Sequence, residues 1–203
     1  MNDRETSSAI EWAVAQRPLP GFDVSGDHYL VQDFQDGILV AVMDGVGHGQ
    51  EAAEAARLAT DCLAAAQPAR GLTALIRDCH EALRGSRGVA LSLAIYRPGP
   101  GTIQWSSVGN VDAVIWHHPG YPEARRQEIT PRNGVVGYLL PTLRESTIAV
   151  AAGDIFCMAT DGIASAFMEE APVFLDPRRL AGHILERYGR TTDDALVLAL
   201  RFC

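Results

Sequence analysis

The sequence fits an α+β fold of two stacked antiparallel sheets with helix pairs on their outer faces, and three observations point to it. Strand-like segments follow one another in runs joined by tight turns. Helical segments come in pairs between those runs. Apolar runs that read as buried strands are bounded by acidic turns, at residues 38–43, 155–159 and 196–200. The chain has 203 residues, enough for one domain with a sizeable core.

In order along the chain, residues 27–32 and 37–43 read as strands joined by the polar turn 33–36. Residues 47–66 read as a helix, because Ala52, Ala55, Ala56, Ala59, Leu63 and Ala66 recur at helical spacing. So many alanines suit close packing on a sheet. Pro68 and Gly71 punctuate its end, and a second helix over 72–84 puts Leu72, Leu75, Ile76, Cys79 and Leu83 on one face. Strands are expected at 89–96 and 102–108, separated by the turn 97–101. A sharp Gly109-Asn110 turn then leads into a strand at 111–116. Residues 119–126 read as a loop, and 131–141, with Pro131, Gly134, Gly137 and Pro141, as a mobile flap. Residues 146–150 and 154–159 read as a hairpin around Ala151-Ala152-Gly153. A short helix at 163–169, a longer one at 177–188 and a last strand complete the chain. No internal repeat or low-complexity linker divides it, so one domain over residues 1–203 is expected, with no sensor or receiver domain.

The formal net charge is −8 and no basic run is present, which argues against nucleic acid or an anionic membrane as the main partner. A phosphorylated protein remains open, because metals can supply local positive charge. The four cysteines form no CxxC pair and no zinc-spaced cluster with histidine, so reduced thiols in a cytoplasmic protein are expected. Residues 1–8 are polar and lack a signal-peptide core, and no apolar stretch is long enough to span a bilayer.

The acidic turns carry the chemistry. Asp44-Gly45-Val46-Gly47-His48-Gly49 follows the first buried run, Thr160-Asp161-Gly162 follows the second, and Asp193-Asp194 precedes the third. A carboxylate at the end of a buried strand is costly unless a cation or a hydrogen bond meets it. Convergence on hard metal ions with oxygen ligands explains all three at once. Taken singly, each has a plainer reading. Asp44-Gly45 can be a hairpin turn, Asp193-Asp194 a solvated junction, Asp27 a turn residue, and His48 a helix-start residue held by a hydrogen bond. Against the hairpin stands the continuation Gly-x-Gly-His-Gly into a long helix, where glycines let backbone groups approach a ligand. The loop lacks the Lys-Ser/Thr of a nucleotide-phosphate loop and does not match GxGxxG. GxSxG and HExxH are also missing from the chain.

The ordered set Ser25-Gly26-Asp27, Asp44-Gly45-x-Gly47-His48-Gly49, Ser107-Val108-Gly109-Asn110, Thr160-Asp161-Gly162 and Asp193-Asp194 resembles the PPM-type metal-dependent protein serine/threonine phosphatases. Within them it is most similar to the SpoIIE-like branch and its RsbX-like subgroup of stressosome phosphatases. The resemblance spans nearly the whole chain and implies an α-β-β-α sandwich with a two-metal centre at one edge. By motif, Asp44 resembles the carboxylate bridging both ions, Gly45 a carbonyl ligand, Asp161 and Asp193 ligands of the first ion, and Asp27 the acidic residue supporting the second. Asp194 resembles a neighbour that orients the site. The ions implied are two Mn²⁺ or Mg²⁺. A water shared by ions about 3.5–4 Å apart then attacks phosphorus without a protein nucleophile.

Two positions depart from the pattern. Asn110 stands where many such enzymes have Asp, and Leu196 where a hydroxyl is frequent. Asn110 either faces the metal centre or simply fits a turn, since Asn tolerates left-handed backbone angles. The implied function is a cytoplasmic phosphatase acting on phosphorylated STAS-domain proteins of the RsbS/RsbR type, in partner switching during stress. The alternatives are a catalytically weak module of the same fold that docks on a signalling complex, and a hydrolase of small phosphate esters.

Overall fold

A computed structural model describes residues 4–6, 9–117, 126–169 and 176–203. In chain order the elements are β1 (Arg4–Thr6), β2 (Ile10–Arg17), β3 (Asp27–Phe34), β4 (Gly37–Gly45), α1 (Gln50–Ala64), α2 (Leu72–Ala82), β5 (Val89–Arg97), β6 (Thr102–Val108) and β7 (Asp112–Trp116). They continue with β8 (Arg126–Ile129), β9 (Ser146–Ala149), β10 (Ile155–Ala159), α3 (Pro177–Tyr188) and β11 (Ala195–Phe202). One sheet has the order β1-β2-β11-β10-β7-β8 and the other β3-β4-β5-β6-β9. Every pairing is antiparallel.

Three apolar layers follow from the period-2 alternation of strands. Between the sheets lie Val40 and Val42 of β4, Trp105 of β6, Phe156 and Met158 of β10, and Leu198 and Leu200 of β11. The opposite face of β4, with Leu39, Ala41 and Met43, packs under α1 and α2. The opposite face of β11, with Val197 and Ala199, packs under α3. Central strands are therefore buried on both faces, which is why they read as continuous apolar runs. Ala52, Ala55, Ala56 and Ala59 bring α1 close to its sheet, as the alanine spacing predicts.

The α-β-β-α sandwich is the expected one, with differences in detail. Among the described residues, the outer layer on the sheet that contains β11 is α3 plus a 3-10 segment, Ser165–Glu169, instead of two full helices. β2 and β8 are strands that the sequence pattern did not single out. Residues 146–150 and 154–159 do not form a hairpin. β9 pairs with β6 in one sheet, and β10 lies between β7 and β11 in the other. All five residues of β10 are buried, so it needs neighbours on both sides, whereas β9 exposes three of its four residues and suits an edge. Ala151-Ala152-Gly153 is thus a crossing between sheets. There the Asp154 carboxylate accepts hydrogen bonds from Ala151 N (3.0 Å) and pairs with His117 (2.8 Å).

The expected loop at 119–126 lies outside the described residues up to 125, and Arg126 already begins β8. Residues 131–141 are held by backbone hydrogen bonds where a mobile flap was expected. Val136 exchanges two with Val89 (2.9 and 3.0 Å), Val135 exchanges two with Leu139 (both 2.8 Å), and Gly109 N donates to Arg132 O (2.7 Å).

Candidate active site

The same alternation that builds the core delivers acidic side chains to one end of the sandwich. Val40 and Val42 face the space between the sheets, so Asp44 at the end of β4 falls on that face too. Asp27 is its cross-strand partner at the start of β3 and shares the face. Two steps beyond Met158 of β10 comes Thr160, and two steps before Leu196 of β11 comes Asp194, each by the same count. Four strand ends from two sheets therefore meet there.

Hydrogen bonds close this end. The buried Thr160 hydroxyl donates to Asp27 Oδ2 (2.8 Å) across the sheets and accepts from Leu196 N (3.0 Å). Buried Asp194 accepts from Leu19 N (2.8 Å) and Gly26 N (2.9 Å), pinning the β2–β3 connection. Asp194 N in turn donates to Asp193 Oδ1 (2.9 Å). Hydrogen bonds to a charged group contribute about 1.5–3 kcal/mol each, so Asp194 is a strong tether. Close backbone contacts complete the frame. A Cβ on Gly45 would sit 2.2 Å from Ala52 O, and one on Gly162 would sit 1.8 Å from Asp194 O. Glycine at both places lets the first turn of α1 and the Thr160-Asp161-Gly162 turn lie against their neighbours.

In front of this frame opens a cleft of about 380 Å³. Asp44, Asp161 and Asp193 line it, together with Gly47, His48, Asn110, Gly134 and Thr192. The three aspartates singled out from sequence thus face one space. Asp27 lies behind Asp44, outside the cleft wall and only 2% exposed. Gly45 is buried at the base of the loop, its N–H donated to Gly26 O (3.0 Å). His48 is exposed at the cleft, its ring edge against Phe22 with centroids 4.7 Å apart.

The electrostatics are one-sided. Burial pushes the Asp44 carboxyl up to about 8, with Asp161, Asp193 and Asp194 adding to the rise. Burial and then Asp44 also raise Asp27 well above the usual carboxylate range, against the pull of Thr160. Asp161 is raised by burial and by Asp193, and lowered by the Asn110 hydrogen bond and the Arg190 charge. Among the described residues, no arginine forms a salt bridge with any of these aspartates. The donors are carboxylate and carbonyl oxygens, which suit a hard divalent cation. Such an ion would supply the positive charge the cluster lacks, so the residues present fit one. Among the described residues, no three acidic, His or Cys side chains form a ready-made cage. The cleft leaves room for ions that keep part of their water, as Mg²⁺ does.

Two supporting residues emerge from the structure. Asn110 Nδ2 donates to Asp161 Oδ2, so this amide orders a carboxylate and does more than fit a turn. Arg190 Nη1 donates to Asp161 O (3.1 Å). Asn110 already stood out in the sequence as a departure from the motif, whereas Arg190 left no signal there, because it acts across a separation that no local motif spans. Leu196 needs no hydroxyl of its own, because its side chain is core and its N–H is served by Thr160.

Comparison with known proteins agrees with this architecture. The family described as stage II sporulation protein E (SpoIIE) matches residues 35–202. The phosphoserine phosphatase RsbX of Bacillus subtilis (strain 168) is 24% identical over 163 residues, covering 78% of this chain and 77% of its own. A solved structure from work on the bacterial stressosome, as a modular system adapted to control secondary-messenger signalling, is 30% identical. It superposes with a TM-score of 0.82, over 95% of this chain and 99% of its own. RsbX in complex with magnesium superposes with a TM-score of 0.85 at 20% identity, over the full length of both chains.

Proposed function

The chain belongs to the SpoIIE family and is a protein serine/threonine phosphatase of the PP2C type, and from that premise we propose that it hydrolyses phosphoserine or phosphothreonine on STAS-domain proteins of a stressosome-like module. The observation that carries the reading is the meeting of Asp44, Asp161 and Asp193, from three distant strand ends, in one cleft. The substrate class draws on the RsbX and stressosome relatives. In this reading the chain works as one phosphatase domain in the cytoplasm. No helix among the described residues is long and apolar enough to cross a membrane.

Asp44, Asp161 and Asp193 would hold divalent cations, Mn²⁺ or Mg²⁺, with the Gly45 carbonyl as a further oxygen donor and Asp27 supporting from behind. When bound, the ions supply Lewis acidity that lowers the pKa of water toward neutrality and offsets charge on phosphoryl oxygens. The protein's part is placement. Asp194 fixes the β2–β3 connection and, through its own N–H, the Asp193 carboxylate. Asn110 and Arg190 hold Asp161 from the side chain and the backbone carbonyl respectively. Thr160 keeps Asp27 aimed beside Asp44. In this reading no protein nucleophile is needed.

The test is phosphate release from phosphorylated STAS-domain proteins, a phosphopeptide and p-nitrophenyl phosphate, each with Mn²⁺, Mg²⁺ or chelator. Metal-dependent turnover that favours the STAS proteins is expected. Turnover of the small ester alone would overturn the substrate assignment. Binding of the phosphoproteins without turnover under any metal would point to a docking module.

A further inference from the structure

Exposed large apolar side chains are few among the described residues, and they are unevenly placed. Phe22 (39% exposed), Val46 (41% exposed), Tyr138 and Leu139 gather along the glycine-loop edge of the acidic cleft. Val24 and Leu58 are exposed too, but they line separate hollows. An apolar side chain standing alone is ordinary on a protein surface, whereas a row of them beside a reactive cleft marks what binds there.

Backbone contacts make the row continuous. Leu139 N donates to Val135 O (2.8 Å), and Val135 is part of the cleft wall. Its Cγ1 lies 2.6 Å from where a Cβ on Gly88 would sit, and Gly88 O accepts from Val46 N (3.0 Å) at the start of the glycine loop. The loop runs on through His48, whose ring meets that of Phe22 edge-on, and a Cβ on Gly49 would come within 3.2 Å of the Phe22 ring. Phe22 is also fixed from behind. Its N–H donates to Leu19 O (3.0 Å), and Leu19 N donates to buried Asp194 (2.8 Å). An apolar ring carried on a tethered turn is presented to a partner with little ordering cost.

The two sides of the cleft therefore differ in chemistry. Asp161, Thr192 and Asp193 come from the turns beside β10 and β11, while the glycine-loop edge is apolar. A phosphorylated residue with its phosphoryl group in the cleft must leave its chain neighbours on this rim. The net charge of −8 gives an anionic protein little general attraction, so apolar burial is the available source of affinity outside the cleft. We propose that the rim docks the residues flanking the phosphorylated residue of the protein substrate, with Phe22 and Leu139 as specificity-determining residues that select large aliphatic side chains there. The placement of the phosphoryl group rests on the phosphatase reading above. Neither side chain takes part in the chemistry, and both act on how tightly the flanking residues are held.

The test uses the full chain with Mn²⁺ and fluorescein-labelled peptides in which a methylene group replaces the ester oxygen of phosphoserine, so that they bind without being cleaved. The peptides differ only in the two residues beside the phosphoserine mimic, which are leucine, serine or glutamate. Polarisation titration should show the leucine peptide binding about tenfold more tightly than the serine peptide, as partial burial of two such side chains gives. Phe22→Ala and Leu139→Ala should each cut that ratio about threefold, and the double variant should bring it close to unity. Turnover of p-nitrophenyl phosphate should be unchanged in all three, and Phe22→Leu should keep most of the preference. No binding of the leucine peptide, equal affinity for the leucine and serine peptides, or a preference that survives in the double variant overturns the proposal. The phosphatase reading fails in a different way, by absence of phosphate release from every ester with Mn²⁺ or Mg²⁺, and the peptide affinities judge the rim whether or not turnover is seen.

Discussion

Asp44 has a half-buried carboxyl whose electrostatic neighbours include three further aspartates, and it sits where β4 hands over to the glycine loop. Its neutral isostere should fold at least as well without metal, because it removes a carboxyl that burial and neighbouring aspartates make costly to ionise. Asp44→Asn should also lower metal-dependent turnover by more than the roughly 10–100-fold that loss of a supporting partner costs a metal site. Steady-state assay beside metal-free thermal unfolding checks both halves, and a destabilised or fully active variant would contradict the assigned role. Asn110 allows a gentler probe. Asn110→Ala removes the hydrogen bond to Asp161 and should cost about 10–100-fold in activity or metal affinity. Asn110→Asp sets a carboxylate against Asp161 and should add a weak cation site, read by calorimetric Mn²⁺ titration. An unchanged stoichiometry would return Asn110 to a turn residue. Asp44, Asp161 and Asp193 were legible in the sequence because each interrupts an apolar run with a charge. Asn110 stood out there as a departure from the motif, with two readings open, whereas the roles of Thr160 and Arg190 were not legible, since their contacts span 29 to 133 residues of chain.

At the scale of elements, legibility tracked burial. α1, α2, α3 and the twice-buried strands β4, β5, β10 and β11 announce themselves by period and apolar run. β9 and β8 are short edge strands with one buried residue each, so pattern alone could not assign their partners. The Ala151-Ala152-Gly153 turn reads locally as a hairpin, yet β9 and β10 belong to different sheets. Pairing is decided by which faces must be covered, a property of the whole sandwich. The turns at the cleft are more tightly constrained than their glycines suggest. Gly162→Ala would press a Cβ into Asp194 O and should destabilise by about 1–3 kcal/mol, the usual range for overpacking. Because Asp194 also holds Leu19 and Gly26, activity should fall with stability, measured by denaturant unfolding and turnover together. The pinned segment 131–141 presents Tyr138, 84% exposed, and Leu139, 62% exposed, while Gly134 and Val135 line the cleft. Exchanging residues 135–139 for a polar turn should weaken turnover of a phosphoprotein more than that of p-nitrophenyl phosphate. Equal losses on both substrates would make the segment a structural brace.

For the molecule as a whole, the acidic end of the sandwich couples stability to pH and to metal. An aspartate in the unfolded chain loses its proton near pH 4, whereas folded Asp44 keeps its own until about 8. Between those values the folded state binds more protons than the unfolded state, so metal-free stability falls as pH rises through that window. The raised carboxyls of Asp27 and Asp161 act in the same direction. The net charge of −8 adds a general repulsion of the same sign, so the trend alone does not identify the site. Asp44→Asn separates the two, since it removes one titrating group from the cleft and leaves most of the global charge in place. In chelator, the thermal midpoint should drop between pH 5 and pH 8, and it should drop less in the variant. A bound cation reverses the logic, because it takes the ionised carboxylates and binds more tightly as pH rises. At 100 times its dissociation constant it should stabilise by about 2.7 kcal/mol. Mn²⁺ or Mg²⁺ should therefore raise the midpoint more at pH 8 than at pH 5, with a much smaller response in Asp44→Asn. A metal response independent of pH, or equal in the variant, would place the cations elsewhere on this acidic surface and remove Asp44 from the centre of the mechanism.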